Sequence, residues 1–397
     1  MDPVEEIKLR LDITEYIGRH VNLKKSGRNF KGLCPFHQEK TPSFYVFPES
    51  QSWHCFGCDR GGDVYSFLME FNGINFRTAL EELARAAGVE LKPRTPEELE
   101  AESEADRLRH VMEMATDYYH TLLLTSPQAK GARAYLKKRG FTRETLETFK
   151  LGYSLGEWHA LRSYLLDKGV SVEEQVKAGL IVQKESGTTY DRFRNRVMIP
   201  IHDRRGRVIA FGGRVLSAED QPKYMNSPQT PIFDKSQVLF GYHLASRAIR
   251  EADEAVIVEG YMDVMIPHQA GFSNIVAPMG TALSEAHLKL LQRLTRRFVL
   301  ALDPDAAGIR ATLRGLETAR ETLDREWQPV FDPRGLVGYE GRLKAEIRAV
   351  MLPQGLDPDE LILDNPERWA SLISQSQPIL RFYFEQLLQQ ENPDEPK

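Results

Sequence analysis

Three cysteines and one histidine give the sequence its first chemical signal. Cys34-Pro-Phe-His37 and Cys55-Phe-Gly-Cys58 are two ligand pairs, each spaced by two residues, with 17 residues between the pairs. Zn²⁺ takes four thiolate or imidazole ligands in a tetrahedron, and two tight turns that offer two ligands each supply that geometry. All 3 Cys of the 397 residues fall in this pattern. An odd number so placed is no disulfide framework. The bland alternative is three buried free thiols and a surface His. A closed four-ligand site is structural, so one Zn²⁺ is expected to stabilise a small domain and to do no chemistry. His54 lies beside Cys55, but its spacing to Cys58 suits a knuckle poorly.

A second set of residues is acidic. Glu259 closes the run AVIVEG, Asp303 and Asp305 close RFVLALDPD, and Asp357 and Asp359 follow AVMLP. In an open parallel sheet, ligands bind beyond the carboxyl ends of the strands. Three clusters at three such ends would converge. Converging carboxylates repel one another unless cations sit between them. Oxygen-only donors favour Mg²⁺ or Mn²⁺. Two or more such ions can activate an attacking hydroxyl and steady a leaving pyrophosphate. Any one of these acids reads equally well as a helix cap, Asp357 and Asp359 above all. The argument rests on the three clusters in order.

A third set is basic. Residues 191–214 hold seven Arg against two Asp. Arg192, Arg194 and Arg196 alternate, which in a strand puts them on one face, and Arg214, Lys223 and Lys235 follow. Such a row suits a polyanion, either a template backbone or a nucleoside triphosphate. Arg in place of Lys favours phosphate forks over a merely solvated face. Near the cysteines, Lys24, Lys25 and Arg28 are interleaved with Phe30, Phe36, Phe44, Tyr45 and Trp53. Single-stranded nucleic acid needs that combination of charge and stacking faces. Most of these rings are expected in a ribbon core, with one or two left to face a strand.

The elements that position these residues can be read coarsely. Residues 1–92 read as helix, short aromatic strands of a ribbon, then two helices. The acidic run EELEAESEAD at 97–106 follows Pro93 and Pro96 and reads as an exposed linker. From 108 to about 180 the pattern is mainly helical. Residues 188–214 alternate like strands, with Arg205-Gly206 as a turn. From 254, short apolar strands alternate with helices, which means a parallel sheet covered on both faces. The expected fold class is therefore multidomain α+β and α/β. Its parts are a zinc ribbon over 1–95, an acidic linker over 96–110, a basic mixed α/β part over 111–253, a parallel-sheet part over 254–365 and a helical segment over 366–397. A net charge of −5 excludes a uniformly basic coat, and no apolar run is long enough for a transmembrane helix. Asp2, Glu5, Glu6, Asp12 and Glu15 do not fit a leader peptide, so the expected compartment is the cytoplasm.

Taken together, the sequence resembles the bacterial replicative DNA primases from about residue 4 to about 365. The densest stretches are GLCPFHQEKTPSFYVFPESQSWHCFGCDRGGDVYSFLME, DRFRNRVMIPIHDRRGRVIAFGGRVL, PKYMNSPQTPIFDK, and VEGYMDV with LALDPDAAG. The resemblance implies that Cys34, His37, Cys55 and Cys58 bind zinc in a domain that reads template. It implies that 254–365 is the acidic fold shared by topoisomerases and primases. Glu259, Asp303, Asp305 and Asp357 would be catalytic metal ligands there, Asp359 a further magnesium ligand, and Asp263 a further matched acid. It places Arg192, Arg194, Arg214, Lys223 and Lys235 near template and incoming nucleotide. The implied partners are single-stranded DNA, ribonucleoside triphosphates, the replicative helicase and single-strand binding protein. The implied reaction is metal-dependent synthesis of short RNA primers. This chain departs from the pattern at Asp303-Pro304-Asp305, where the family usually has Asp-Gly-Asp, and at 326–345, which reads as an inserted loop or hairpin. The sequence stops at Lys397, where the family continues into more helices and a helicase-binding domain, so it is expected to be either a fragment or a shortened protein. Rival readings are a zinc-ribbon DNA-binding protein with an inactive acidic fold, and a nuclease or topoisomerase on that fold. No G-x-x-x-x-G-K-[ST] loop is present, which removes a fused helicase motor.

Overall fold

A computed structural model describes residues 2–74, 76–91, 96–217, 221–280, 283–302, 325–331, 337–343, 345–353, 356–379 and 381; only the backbone is described at 96–99, 302, 325–331, 337–343 and 351. The chain divides into two units, Met1–Leu99 and Glu100–Lys397.

In the first unit, two short helices, Pro3–Arg10 and Ile13–Gly18, begin at Asp2 and Asp12, whose carboxylates accept the free N–H groups of the first turn. A five-stranded antiparallel sheet follows in sequential order: Lys24–Ser26, Asn29–Gly32, Phe44–Phe47, Ser52–Cys55 and Gly61–Gly62. The period of two divides its aromatics. Phe44, Val46 and Trp53 are buried against Ile7, Ile13, Ile17, Phe67 and Leu83, whereas Tyr45 and Phe47 are only partly covered. The helices Val64–Asn72 and Phe76–Ala87 close the core.

Among the described residues, the second unit has two larger sheets and two two-stranded ones. The first larger sheet is antiparallel, in the order Tyr224–Asn226, Val208–Val215, Arg196–His202 and Gly152–Ser154. The expected alternation along 188–214 does not describe it, because every residue of Arg196–His202 is buried. Both faces are covered. Met198 and Phe211 pack on Leu108, Met112 and Tyr119 of the long helix Pro96–Thr125, and Val197, Ile199 and Ile201 pack into the core of the other sheet. Residues 96–110 are thus the first half of that helix. The strand Gly152–Ser154 lies in a stretch expected to be mainly helical; three residues are too few to show a period.

The second sheet has the order Ile275–Val276, Ala255–Ile257, Arg297–Leu302, Glu346–Met351 and Gln377–Pro378, and its first four strands run parallel. Helices Met262–Gln269 and Glu285–Gln292 make the crossovers. One face buries Val256, Val299 and Val350 beside Val264, Ile266, Leu361 and Ile362. The other buries Ile257, Phe298 and Leu300 beside Ala245, Ile249, Leu288 and Leu291. The fifth strand is antiparallel to its neighbour and falls inside 366–397, expected to be helical; only Pro366–Ser374 there is a described helix of the expected kind. Across the segment expected as an inserted loop or hairpin, Arg325–Phe331 pairs antiparallel with Val337–Leu343; residues 332–336 lie outside the described residues. Asp303 and Asp305, and the helix expected after them, lie outside the described residues.

Candidate metal centres and nucleic-acid interface

The four ligands expected for zinc come together. Ligand atoms of Cys34, His37, Cys55 and Cys58 all lie within 4.8 Å of one another, with Cys34 Sγ 3.9 Å from Cys58 Sγ and Cys55 Sγ 3.8 Å from His37 Nδ1. Three thiols and an imidazole at that spacing are a donor set for Zn²⁺. Burial pushes the Cys34 thiol up to about 12. Burial also raises Cys55, but Ser43 and the N–H groups of Cys58 and Gly57 outweigh it and hold the thiol below its ordinary value. A bound cation deprotonates such thiols outright. His54 stays outside the cluster: its Nε2 lies 3.2 Å from Asp59 Oδ1 and its ring packs on Phe56.

Glu39 completes this site and was not anticipated. Its Oε2 lies 3.3 Å from His37 Nε2, the ring nitrogen turned away from the thiols. It also accepts the N–H of Cys34 at 2.7 Å, the N–H of Ser43 at 3.1 Å and the Ser43 hydroxyl. Burial raises its pKa, yet these hydrogen bonds, with His37 adding to them, bring it below the usual carboxylate range. A carboxylate behind a ligating imidazole fixes the tautomer and orients the ring. The signal was the spacing His37-Gln-Glu39, two residues past a ligand.

The outer face of the ribbon carries the basic and aromatic residues left over from the core. Lys24 pairs with Lys31, Lys31 with Tyr45, and Tyr45 with His54, so these four form one row across the strands. Phe56 is 67% exposed and meets Tyr45 edge-on at 5.4 Å. Lys24, Lys25 and Arg28 are exposed, Arg28 with only a loose 3.9 Å contact to Glu49. Phe30, Phe36, Phe44 and Trp53 belong to the core side.

The strands that precede the acids are aligned by register. Ile257 pairs with Leu300, Leu300 with Ala349 and Leu302 with Met351, so three parallel strands end at the same edge. Glu259 is two residues beyond the first of them and Asp357 six residues beyond the third; Asp303, next in sequence after the second, lies outside the described residues. Asp263 Oδ2 accepts the N–H of Gly260 at 3.0 Å, which closes the turn that carries Glu259. Asp357 is exposed at the start of helix Pro358–Asp364, and its side chain makes no capping bond there. Asp359 differs from its neighbour. It is 1% exposed, and its Oδ2 lies 3.0 Å from Arg139 Nη2. Burial raises its pKa, and Arg139 opposes that shift.

The three alternating arginines do not share a strand face. The chain leaves the strand Thr189–Asp191 at Arg192 and enters the next only at Arg196, with Asn195 at φ 51°. Arg192 Nε donates to Gly179 O at 3.0 Å. Arg194 stacks 4.2 Å over the ring of Trp158, itself 57% exposed, and 5.2 Å from Tyr190. Arg196 is buried, and its Nη1 donates to Gly213 O at 3.2 Å and Pro222 O at 2.9 Å. Arg214 lies over Tyr135 and Tyr224 at 5.4 and 4.8 Å. Lys223 is exposed, and burial pulls the Lys235 ammonium below its ordinary pKa.

Comparison with known proteins follows the same division of the chain. Residues 1–99 match the CHC2 zinc finger, 118–246 the N-terminal domain of the DNA primase catalytic core, and 253–326 the Toprim domain. A DNA primase of Halalkalibacterium halodurans is 40% identical over 362 residues, which cover 91% of this chain and 57% of that protein. The chain thus spans little more than half the length of that relative. The zinc-binding and RNA polymerase domains of the Aquifex aeolicus primase superpose with a TM-score of 0.59 at 33% identity, over 95% of this chain and 86% of that one. A primase catalytic domain bound to single-stranded DNA superposes with a TM-score of 0.62 at 35% identity, over 74% of this chain and 86% of that one. With a CHC2 zinc finger, a primase core and a Toprim domain in this order, the chain belongs to the DNA primase family.

Proposed function

We propose that this chain carries the priming activity of its family: template-directed synthesis of short RNA on single-stranded DNA from ribonucleoside triphosphates. The observation that carries the reading is the common edge where three parallel strands end, with Glu259 after the first and Asp357 after the third; Asp303, which follows the second in sequence, lies outside the described residues. The 3′-hydroxyl of a bound nucleotide attacks the α-phosphorus of the next, pyrophosphate leaves, and the hydroxyl proton passes to a base, for which Glu259 is the candidate. Glu259, Asp303, Asp305 and Asp357 would hold two or more Mg²⁺ or Mn²⁺. Bound there, such ions would supply positive charge for the triphosphate and for the developing pyrophosphate.

The basic residues divide by surroundings. Arg194, seated on Trp158 and beside Tyr190, offers charge next to an exposed indole, which suits a nucleic-acid strand. Arg214 and Lys235 would meet the triphosphate, and Lys223 and Arg192 the template or nucleotide. Arg196 would act from behind, by holding the carbonyls of Gly213 and Pro222. On the zinc ribbon, Lys24, Lys25 and Arg28 would track phosphates beside Tyr45 and Phe56. One Zn²⁺ on Cys34, His37, Cys55 and Cys58 would hold that platform together. The replicative helicase and single-strand binding protein remain family-level partners in this proposal, as does the cytoplasm as its setting. Among the described residues no helix is long and apolar enough to cross a membrane.

The test is ribonucleotide incorporation on single-stranded DNA of defined sequence. Short RNA complementary to the template, made only with Mg²⁺ or Mn²⁺, is the expected product. A folded, zinc-loaded chain that binds the template and makes no RNA would favour the inactive binding protein. Cleavage of the template in place of synthesis would favour the nuclease reading.

A further inference from the structure

The corner 139–145 touches the helix that starts after Asp357 and the helix that follows Glu259. It joins helix Lys130–Lys138 to helix Arg143–Thr148, well before the acidic sheet in the chain. On one side, Arg139 reaches the first turn of helix Pro358–Asp364. Its Nη2 lies 3.0 Å from Asp359 Oδ2 and its Nη1 lies 3.1 Å from Glu360 Oε1. Gly140, at φ +79°, packs directly on Leu363 of the same helix; a Cβ there would lie 2.7 Å from Leu363 Cδ2. On the other side, Gln269 ends the helix Met262–Gln269 that follows Glu259 and Gly260. Its Nε2 donates to Gly140 O at 2.9 Å, and its Oε1 accepts the Thr142 N–H at 2.9 Å and the Thr145 hydroxyl at 2.6 Å.

We infer that Arg139 and Gln269 are positioning residues: they lock this corner to both helices and so set the separation of Glu259 from Asp357. Asp359 then acts through Arg139, as the anchor of its helix, and not as a ligand of the ion. The inference rests on the metal-binding reading of the sheet edge. Its physical basis is burial. Asp359 is 1% exposed, and apart from the Glu360 N–H the favourable group at its carboxylate is the Arg139 guanidinium, so its buried charge depends on that cation. Removing only the cation leaves that charge uncompensated, whereas removing both members of the pair does not. A helix start so displaced carries Asp357 with it.

The experiment is a Mn²⁺ titration of the zinc-loaded chain, read by electron paramagnetic resonance, beside the Mn²⁺ dependence of primer synthesis. The variants are Arg139→Met, Asp359→Asn, the double variant, Arg139→Lys and Gln269→Ala, each checked for thermal melting. Arg139→Met is expected to weaken Mn²⁺ binding about 10-fold, at the low end for residues that orient ligands. The Mn²⁺ needed for half-maximal synthesis should rise in parallel, with the nucleotide KM at saturating Mn²⁺ unchanged. Adding Asp359→Asn to Arg139→Met should restore most of the loss, and Arg139→Lys should lose less than Arg139→Met. Gln269→Ala should weaken Mn²⁺ in the same direction. If Asp359→Asn weakens Mn²⁺ equally with Arg139 present or absent, Asp359 is itself a ligand and the inference fails. It fails too if Arg139→Met lowers the melting temperature and leaves the Mn²⁺ titration unmoved. A wild type that binds Mn²⁺ at the sheet edge without making RNA would count against the priming function, while the titration still decides the positioning role.

Discussion

Gly57 sits where no side chain fits. A Cβ there would lie 2.6 Å from His37 Nε2 and 2.7 Å from Ser43 Oγ, the two groups that Glu39 holds. Gly57→Ala must therefore turn the imidazole or break the Ser43–Glu39 contact. Glu39→Gln removes the charge behind the imidazole and leaves the four ligands in place. Both substitutions should weaken zinc retention, Glu39→Gln by roughly 10–100-fold, as measured by competition with a chromogenic chelator. Unchanged retention in Glu39→Gln would mean that the carboxylate serves only the turn. The ligands themselves were legible because metal geometry imposes a local spacing. Glu39 sat in plain view at two residues past His37, but one carboxylate near a knuckle is common on any surface. Arg139 and Gln269 left no trace in the sequence. Arg139 is 220 positions from Asp359 and Gln269 is 129 from Gly140, and each pair meets only because the fold brings its elements together.

At the scale of elements, the site depends on strands that end together and on the turn behind the first of them. Tyr261 follows Glu259 and Gly260 and is buried, with its hydroxyl donating to Asn226 Oδ1 at 2.6 Å. Its ring lies against Gly212 of the antiparallel sheet, where a Cβ would come within 2.7 Å of Cζ. Gly212→Ala should overpack this contact and cost about 1–3 kcal/mol in urea unfolding, with priming reduced through the displaced Glu259 turn. An unchanged unfolding midpoint would show that Tyr261 yields without strain. The βαβ alternation of 254–302 was readable because parallel strands buried on both faces appear as short apolar runs between helical stretches. The arginine row was misread for a related reason. Alternation of charge over 192–196 imitates a strand, but the chain turns at Asn195, and the strand that begins at Arg196 is covered on both faces.

Across the second unit as a whole, stability should depend on acid through buried imidazoles. His202 and His243 lie ring to ring at 4.2 Å. Burial, with the neighbouring His243 adding to it, lowers His202 from 6.5 to about 3 against the pull of Asp203. Burial and His268 lower His243 to about 4, again opposed by Asp203. Both are neutral in the folded chain at neutral pH. Below pH 6.5 the unfolded chain binds protons that the folded chain does not, so stability is lost as pH falls from about 6.5 towards 4 and below. Melting temperature measured over that range should fall, and His202→Leu should flatten the fall. An equal slope in the variant would place the acid sensitivity on other groups. No periodicity marks these histidines, because their proximity comes from a strand end and a helix start that the sequence separates by 41 positions.

The most direct test of the account compares primer synthesis by the wild-type chain with that of an Asp303→Ala/Asp305→Ala variant. Both would be supplied with single-stranded DNA, labelled ribonucleotides and Mg²⁺ or Mn²⁺, after zinc content and folding are matched. The account predicts short template-directed RNA from the wild type and none from the variant. Equal RNA from both proteins would contradict the assignment of the acids at the edge of the parallel sheet.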